Sequence, residues 1–378
     1  MFLLRHTNNL KTPCRIQLKI DLKKVLKNIN TMQSQIGDCQ LIPVLKADAY
    51  GLGAIQIGKY LAENGISQIG LADVNEAIEL KGLFSEIHLL GDVFESELKT
   101  IIEKGWICPV SSISRLKEWE QYCRDTKLKI QFNIDTGMGQ TGIPIKIAQQ
   151  EILEVMNLPW IEIKGIYSHF TNAESAEDDF ALQQMKEFKA LINDLENNGL
   201  KLPFKHIGNS NGINFLPESY KEFSHVRSGI NLYGIQESQT SKNGYLAETL
   251  ELKTSVIKVN DFKPGESLGY GREFIVKNSM KIATIPIGYA DGIPYQSYKE
   301  GYVLINECKC PIVGRLSMDY TSVDVSNVPD VKINDPVILI GHSGSFKITV
   351  EDWACWKNTI PYEIICSFGP RIKKVYLK

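Results

Sequence analysis

Residues 44–54, VLKADAYGLGA, place a reactive amine where an apolar run ends. Lys46 closes the run, Tyr50 follows four positions later, and Gly51 and Gly53 come directly after it. A lysine at the end of a buried strand can form a Schiff base with a carbonyl group. The segment therefore predicts covalent chemistry at Lys46, and its glycines let the backbone turn sharply after the strand.

The lysine belongs to the first of eight short, β-rich apolar runs separated by longer helical patterns. The runs lack strict alternation, which is typical of parallel strands buried on both faces. Eight such units in sequence predict a closed (β/α)8 TIM-type barrel. The rival, an open doubly wound sheet, usually carries a G-x-G-x-x-G turn after its first strand, and none occurs here. The runs are residues 41–46, 68–73, 87–92, 107–112, 128–135, 161–170, 202–210 and 225–230.

The pattern changes after about residue 244, where strand-like segments with Gly, Asn and Pro turns predominate. One helix is expected near the end, at about 350–356. Residues 15–20 alternate like a strand that could join this second, mainly β domain. The predicted domains are therefore an N-terminal strand in 1–20, a barrel in 21–245 and a mainly β C-terminal domain in 246–378.

Polar residues follow the predicted barrel strands at their C-terminal ends, where chemistry is located in this fold. Strand one ends at Lys46, and the loops after strands seven and eight supply a hydroxyl and a glycine, as phosphate-binding loops of barrels do. Two chemistries remain open: a Schiff base of the lysine with the substrate itself, or one with pyridoxal phosphate, which stabilises carbanions. The strand-end residues are Lys46, Asn133, His169, Asn209, Ser210, Arg227 and Gly229.

VLKADAYGLGA resembles the pyridoxal-phosphate lysine motif of alanine racemases. Further motifs of that family occur here in its order and spacing, and together they extend over residues 46–366. This resemblance implies a barrel followed by a β domain, a pyridoxal 5'-phosphate cofactor, and a homodimer in which each active site is completed by the partner's β domain. The motifs are DTGMG, NSNGI, VRSGINLYG, GYG, PIGYADG, PIVGRLSMD and TIPYEIIC.

The resemblance also implies roles for the cofactor-binding residues. Lys46 would carry the cofactor as a Schiff base, and His169 would lie against its ring. Arg227 would face the pyridine nitrogen and, because a guanidinium donates but does not give up its proton, would keep that nitrogen largely unprotonated. His206 would support this arginine. The phosphate-binding residues would be Tyr50, Asn209, Ser210, Gly229, Ile230 and Tyr362.

Racemisation needs a proton donor or acceptor on each face of Cα. By resemblance, Lys46 serves one face and Tyr270 of the partner subunit the other. Tyr289 matches a tyrosine at the entrance, and Met318 would offer its backbone N–H to the substrate carboxylate, with Asp319 in a supporting role. The expected activity is interconversion of L- and D-alanine, which supplies D-alanine for cell-wall peptidoglycan.

The sequence departs from the family pattern at two positions. Gln140 stands where an arginine usually binds the substrate carboxylate, and Asn133 where a carbamylated lysine often supports that arginine. Because a charge-assisted hydrogen bond is stronger than a neutral one, we expect weaker carboxylate binding and a raised pKa of Tyr270. One alternative is a racemase of serine or another small amino acid, with Arg272 or another cation supplying the charge.

Two further alternatives are a weakly active relative that only binds the cofactor and a decarboxylase of the same two-domain fold. Tyr270 argues against the first, whereas Gln140 favours it. Against the second, neither a longer glycine-rich phosphate loop nor a clear Cys-Asp pair in the second domain is present.

Composition excludes several classes of partner. The 378 residues carry a formal net charge of −2 with both signs mixed, which gives no support for binding to nucleic acid or a membrane surface, since either favours a basic face. The N-terminal stretch MFLLRHTNNLKTPCR lacks a long apolar segment, so we expect no signal peptide. Eight scattered cysteines indicate reduced thiols, no metal site and a cytoplasmic location.

Overall fold

The computed structural model describes residues 15–123, 126–173, 179–236 and 246–378. Contacts divide the chain into two units, which we call the barrel unit and the β unit. The expected absence of a signal peptide and the predicted domain boundary at 245 both lie outside the described residues. The barrel unit comprises Asp21–Thr249, Ile360–Cys366 and Tyr376–Lys378, and the β unit comprises Leu250–Thr359, Ser367–Val375 and the described part of Met1–Ile20.

Strand β1 (Gln17–Asp21) leads directly into helix α1 (Leu22–Ile36). Asp21 caps this helix, because its carboxylate accepts a hydrogen bond of 3.0 Å from the Lys24 backbone N–H. Buried residues recur on one face of the helix at helical spacing, so α1 packs as an amphipathic helix. These residues are Leu22, Val25, Asn28, Ile29, Met32 and Ile36.

Eight parallel strands form the barrel, and a two-residue strand, β7 (Ile143–Pro144), pairs with one of them. They are short and buried on both sides because helices cover the outside and side chains fill the inside. The eight are β2 (Gln40–Pro43), β3 (Gln68–Leu71), β4 (Glu86–Leu89), β5 (Cys108–Val110), β6 (Leu128–Asp135), β8 (Ile161–Tyr167), β9 (Phe204–His206) and β10 (His225–Ser228).

The ring closes because β10 pairs in parallel with β2. Parallel ladders join β3 to β4, β5 to β6, β6 to β8, and β8 to β9, and the register of β6 against β8 shifts between Ile130 and Gln131. Single bridges, Val44 to Gly70 and His88 to Ile107, connect the remaining neighbours. Between β9 and β10 the Arg227 N–H donates to the Gly208 carbonyl at 3.0 Å. The predicted (β/α)8 barrel is therefore confirmed.

Helices follow the barrel strands and cover the barrel. Gly105 caps the helix that ends at Lys104, in the left-handed conformation that glycine adopts without a steric penalty. The barrel helices after α1 are α2 (Lys46–Gly51), α3 (Ala54–Glu63), α4 (Val74–Glu79), α5 (Glu95–Lys104), α6 (Ile113–Glu118), α7 (Ile145–Val155), α8 (Asp179–Asn197), α9 (Ser210–Phe215) and α10 (Glu218–Lys221).

The β unit contains a seven-stranded sheet in the order β17-β16-β19-β11-β1-β21, with β20 paired to β19. β12, β15 and β18 form a second sheet, and β13 and β14 a short hairpin. The mainly β second domain is confirmed. Its strands are β11 (Leu250–Ser255), β12 (Lys258–Phe262), β13 (Ser267–Leu268), β14 (Phe274–Ile275), β15 (Met280–Ile285), β16 (Tyr302–Ile305), β17 (Cys308–Pro311), β18 (Thr321–Asp324), β19 (Pro336–Ser343), β20 (Phe346–Ile348) and β21 (Lys373–Leu377).

Two local predictions need correction. The helix expected near 350–356 is α11 (Val350–Lys357), but a second helix, α12 (Pro361–Cys366), follows it and groups with the barrel unit. Two predicted strands also extended too far at their C-terminal ends. β2 stops at Pro43 and β8 at Tyr167, so Lys46 and His169 lie in the segments that follow the strands. Within the described residues, no helix is both long and apolar enough to cross a bilayer.

Candidate active site

A cavity of about 660 Å³ opens in the barrel unit, and only residues of that unit line it. Two side chains in this described lining are cationic, Lys46 and Arg227, and no Asp or Glu is among them. The cavity is therefore suited to an anionic ligand. Ten predicted site residues line it: Lys46, Tyr50, Asn133, Gln140, His169, Asn209, Ser210, Arg227, Gly229 and Tyr362.

Lys46 begins α2, and this short helix is left-handed. Four consecutive residues that are not glycine, Ala47 to Tyr50, have φ angles of 54°, 53°, 55° and 61°. Each such residue costs roughly 1–2 kcal/mol, because its Cβ crowds the following carbonyl oxygen. The sequence predicted that glycines would let the backbone turn here, and the structure adds strain at the four preceding residues, Ala47–Tyr50. Backbone strain of this kind is concentrated at functional sites.

Hydrogen bonds to two side chains, Glu76 from outside the turn and Asp48 from within it, hold the turn in place. The Ala47 N–H donates to Glu76 Oε1 at 2.5 Å, and Glu76 Oε2 accepts from the Ala72 N–H at 2.7 Å. At the other end the Ala54 N–H donates to Asp48 Oδ1 at 2.7 Å. Sequence reasoning missed Glu76, because only the folded barrel brings α4 next to this turn.

Lys46 is exposed at the cavity, whose wall partly desolvates its ammonium. Desolvation lowers the pKa of its ammonium, and the nearby Arg227 cation lowers it further, while Glu76 acts in the opposite direction. A lysine whose pKa is lowered in this way is a better nucleophile and base near neutral pH.

The hydroxyl of Tyr50 lies against the backbone of Gly229. A Cβ atom added to Gly229 would come within 1.9 Å of Tyr50 Oη, so only glycine allows this approach. The Tyr50 ring is buried and stands 5.9 Å from the Tyr362 ring, measured between centroids. Burial raises the pKa of the Tyr50 phenol, which therefore stays protonated and able to donate.

Ser210 and the loop after β10 meet beside these two phenols. The Gly229 N–H donates to Ser210 Oγ at 3.1 Å, and Asn209 caps α9 through a 2.9 Å bond from the Gly212 N–H. Ile230 starts the 3-10 helix Ile230–Tyr233 and is fully buried, and its side chain is not part of the cavity wall.

Arg227 is buried at the base of the cavity and donates only to neutral acceptors among the described residues. Its Nη2 lies 2.7 Å from the Ser168 carbonyl oxygen and 3.2 Å from His169 Nδ1. Its Nη1 contacts His206 Nδ1. Burial lowers the pKa of the guanidinium to about 10, so it remains charged at neutral pH.

The structure also assembles residues around Arg227 that sequence reasoning missed. The Arg227 Cζ lies 5.4 Å from the centroid of the Tyr167 ring. Behind His206 stand Gln131 and His88, both fully buried. Only their position inside a barrel marks them, since neither lies at a strand end.

Asn133 and Gln140 occupy the two positions where the sequence departs from the family pattern. Asn133 Nδ2 donates to Thr141 Oγ1 at 3.0 Å and to Ser111 Oγ at 3.2 Å. Ser111 Oγ in turn donates to Asp92 Oδ1 at 2.5 Å. The amide of Asn133 is thus held by two hydroxyls, and Gln140 contributes a neutral amide to the cavity wall.

The remaining predicted residues lie in the β unit, and none of them lines the barrel cavity. Tyr270, Tyr289 and Met318 are 67%, 44% and 53% exposed. Arg371, which the sequence did not single out, joins the loops of Tyr289 and Met318: it contacts Asp319 at 2.5 Å and Asp291 at 2.8 Å. In the described residues no group of three or more His, Cys, Asp or Glu could hold a metal ion.

Two family models match the chain and together cover most of it. The alanine racemase N-terminal domain matches residues 20–237, and the alanine racemase C-terminal domain matches residues 249–376. An alanine racemase of Clostridium kluyveri is 37% identical over 372 residues, covering 95% of this chain and 93% of the relative. A protein named alanine racemase 2 from Caldanaerobacter subterraneus is 34% identical over 97% of this chain and 95% of its own length.

Solved structures agree over the same extent. An alanine racemase of Clostridium difficile superposes with a TM-score of 0.90 at 29% identity, covering 97% of each chain. An alanine racemase of Bacillus anthracis with bound L-Ala-P has a TM-score of 0.88 at 26% identity, covering 98% of this chain and 96% of that one.

Proposed function

Because this chain belongs to the alanine racemase family, whose members are pyridoxal-phosphate-dependent racemases, we propose that it interconverts L- and D-alanine. The observation that carries the proposal is the position of Lys46, an amine of lowered pKa in a cavity whose described lining has no carboxylate. We place the enzyme in the cytoplasm, where it supplies D-alanine for cell-wall peptidoglycan.

The residues of the cavity fit pyridoxal 5'-phosphate. Lys46 would hold the aldehyde carbon, and Arg227 would face the ring nitrogen with His169 against the ring. The phosphate would be held by Tyr50, Ser210 and Tyr362, with Asn209 and the backbone of Gly229 and Ile230. The close approach of Tyr50 to Gly229 supports this assignment, because it places a protonated phenol beside a backbone loop at one end of the cavity. When bound, the cofactor withdraws electrons and acidifies the substrate Cα–H.

The chain's own residues then move the proton. Lys46 Nζ takes or returns it on one face of Cα, and its lowered pKa favours the neutral amine that this requires. Tyr270 of the partner subunit serves the opposite face, as a residue of a homodimer with shared sites. The high exposure of Tyr270 in a single chain supports that arrangement, since a catalytic phenol is expected to be covered when its site is complete.

Substrate recognition relies on neutral donors more than in the family pattern. Gln140 offers its amide to the substrate carboxylate, and Asn133, held by Thr141 and Ser111, shapes the wall beside it. Met318 of the partner subunit adds a backbone N–H, and Tyr289 of the partner subunit narrows the entrance. In each chain Asp319 supports the Met318 loop through Arg371.

The test is a proton-exchange assay in heavy water on the protein reconstituted with pyridoxal phosphate. L- and D-alanine, and L- and D-serine for comparison, are followed by NMR at Cα and by optical rotation. Wild type should exchange Cα–H of alanine with inversion. Lys46→Ala should lose both the visible absorbance of the bound cofactor and the activity, the latter by at least about 10³-fold.

Tyr270→Phe separates the two bases. This variant should keep the cofactor absorbance but lose inversion by roughly 10²- to 10⁴-fold, because one face lacks its acid–base group. Tyr302→Phe, on strand β16, is the matched control and should behave as wild type. Exchange without inversion in the wild-type protein would contradict a two-base racemase, and faster inversion of serine than of alanine would contradict the substrate.

A further inference from the structure

A continuous line of hydrogen bonds leads from Arg227 into the interior of the barrel. Arg227 Nη1 contacts His206 Nδ1, and His206 Nε2 lies 2.7 Å from Gln131 Oε1. Gln131 Nε2 then lies 2.7 Å from His88 Nδ1. His206, Gln131 and His88 are each 0% exposed, and none of them lines the cavity. Groups this deep are expensive to bury, so their arrangement needs an explanation.

The direction of every bond in the line follows from its first member. A guanidinium only donates, so His206 Nδ1 must accept and must carry no proton. The remaining proton of neutral His206 is then on Nε2 and is donated to Gln131 Oε1. This leaves the Gln131 amide nitrogen to donate to His88 Nδ1, so the proton of His88 is on Nε2.

At the far end of the line, this direction of the hydrogen bonds leaves one buried N–H of His88 without a partner among the described residues. Within the described residues, His88 Nε2 is buried and has no hydrogen-bond partner. If every bond were reversed, His88 would carry its proton on Nδ1 and donate it to Gln131, so no N–H of His88 would be left unpaired. The reversed line would, however, place a protonated Nδ1 of His206 against the guanidinium. An unsatisfied N–H at His88 is therefore accepted so that His206 can present an acceptor to Arg227.

The surroundings keep both imidazoles neutral. The charged and titratable groups near His206 are Arg227, His88, His225 and the stacked Tyr167, whose ring centroid is 5.3 Å away. Those near His88 are His206, His225, Arg227 and Lys164. None of these neighbours is a carboxylate, and burial lowers the pKa of His88 to about 3 and holds that of His206 well below its ordinary value.

We propose that Gln131 and His88 are positioning residues that fix the tautomer of His206 and thereby hold the Arg227 guanidinium in place at the base of the cavity. Arg227 sets the polarity of the line, Gln131 reinforces it by accepting the Nε2 proton of His206, and His88 anchors Gln131. The consequence for catalysis rests on the proposed function, in which Arg227 faces the ring nitrogen of the cofactor. The hydrogen-bond line itself belongs to the protein alone.

The first experiment measures histidine tautomers by nitrogen-15 NMR on the wild-type protein, with and without pyridoxal phosphate. Substitution of single histidines among the six in the chain assigns the signals. Both His206 and His88 should be neutral with the proton on Nε2, from about pH 5 to pH 8. A proton on Nδ1 of His206, or a charged His206 in this range, would overturn the proposal whether or not the cofactor binds.

The second experiment compares Gln131→Glu with Gln131→Met. The carboxylate accepts from His206 Nε2 and stabilises the doubly protonated imidazole, which can no longer accept from Arg227. Gln131→Glu should therefore gain a pH-dependent change, between about pH 5 and pH 8, in the His206 signal and in the absorbance of the bound cofactor. Gln131→Met removes both hydrogen bonds without adding charge, and should show mixed His206 tautomers with no such transition.

A purely structural role for Gln131 predicts a different pattern. Both variants would then lose thermal stability while the His206 tautomer and the pH profile of the absorbance stayed as in wild type, and that result would overturn the proposal. If the wild type shows no cofactor absorbance, the proposed function fails, and the tautomer measurement still decides the role of Gln131. If Gln131→Glu does not fold, wild type and Gln131→Met decide it.

Discussion

Two arginines in the two units of this protein are held in opposite ways. Arg227 in the barrel unit is 5% exposed and donates to carbonyl oxygens and imidazole nitrogens. Arg371 in the β unit has a side chain that is 44% exposed and contacts two carboxylates, those of Asp291 and Asp319. Their neighbours also shift their pKa in opposite directions: burial lowers that of Arg227, and hydrogen bonds to Asp319 and Asp291 raise that of Arg371.

This difference in partners means that the charge of Arg227 remains available to a ligand, whereas the charge of Arg371 stabilises the structure. Because neutral acceptors orient the Arg227 guanidinium without neutralising it, its cation still acts on a ligand in the cavity. The positive charge of Arg371 is balanced by Asp291 and Asp319, and the side chain holds the loops of Tyr289 and Met318 together. Its Nη2 also donates to the Met318 carbonyl at 3.3 Å.

The largest effect should come from adding to the barrel cavity the carboxylate that it lacks. Ser210→Asp places an anion beside the Gly229 N–H, where the cofactor phosphate is proposed to bind. A like-charge contact costs several kcal/mol, so affinity for pyridoxal phosphate should fall by roughly 100-fold or more. Ser210→Ala is the matched control and should lose only about two- to tenfold, the value of one neutral hydrogen bond. Equal losses of cofactor affinity in the two variants, measured by cofactor titration, would show that charge at position 210 does not determine phosphate binding.

An intermediate effect is expected from removing the β-unit cation. Arg371→Ala leaves Asp291, which is 2% exposed, without its partner and frees the Met318 loop. We expect a lower melting temperature and a KM for alanine raised by roughly tenfold, with the cofactor absorbance unchanged. Arg315→Ala breaks a more exposed ion pair with Glu273 and should stay near wild type in both measurements. Indistinguishable values for the two variants would argue against a positioning role for Arg371.

A third prediction concerns the pH dependence of stability, and it tests whether the barrel interior excludes charge. Burial lowers the pKa of His88 to about 3 and that of His225 to about 4, against about 6.5 in the unfolded chain. Above about pH 6.5 both states are neutral and this stability is fully present. As the pH falls below that value, these two histidines bind protons in the unfolded chain but stay neutral in the folded chain. The free energy of unfolding therefore decreases.

Urea unfolding of the cofactor-free protein between about pH 6.5 and pH 5 measures this loss, which should approach 1.4 kcal/mol per pH unit for each buried histidine. His225→Gln should reduce the slope by about one proton. The matched control His342→Gln, at an exposed position, should leave it unchanged. A flat profile for wild type would mean that the buried imidazoles accept protons in the folded state.

The sequence by itself determined the fold class, because eight buried runs alternating with helical patterns leave few ways to cover both faces of each strand. It also placed Arg227 near the end of a strand and Lys46, Tyr50, Ser210 and Gly229 after strands, and all five line one cavity. These features depend on residue type and spacing along the chain, which periodicity reports directly.

Only the tertiary structure decided how those residues are held. The left-handed turn at Ala47–Tyr50 depends on Glu76, 29 positions away from Ala47. Gln131 meets His88 across 43 positions and His206 across 75, and Arg371 meets Asp291 across 80. No local pattern marks such pairs, because a buried polar group takes whichever partner the packed strands bring within hydrogen-bond distance, and that choice is made by the closed barrel and the folded loops.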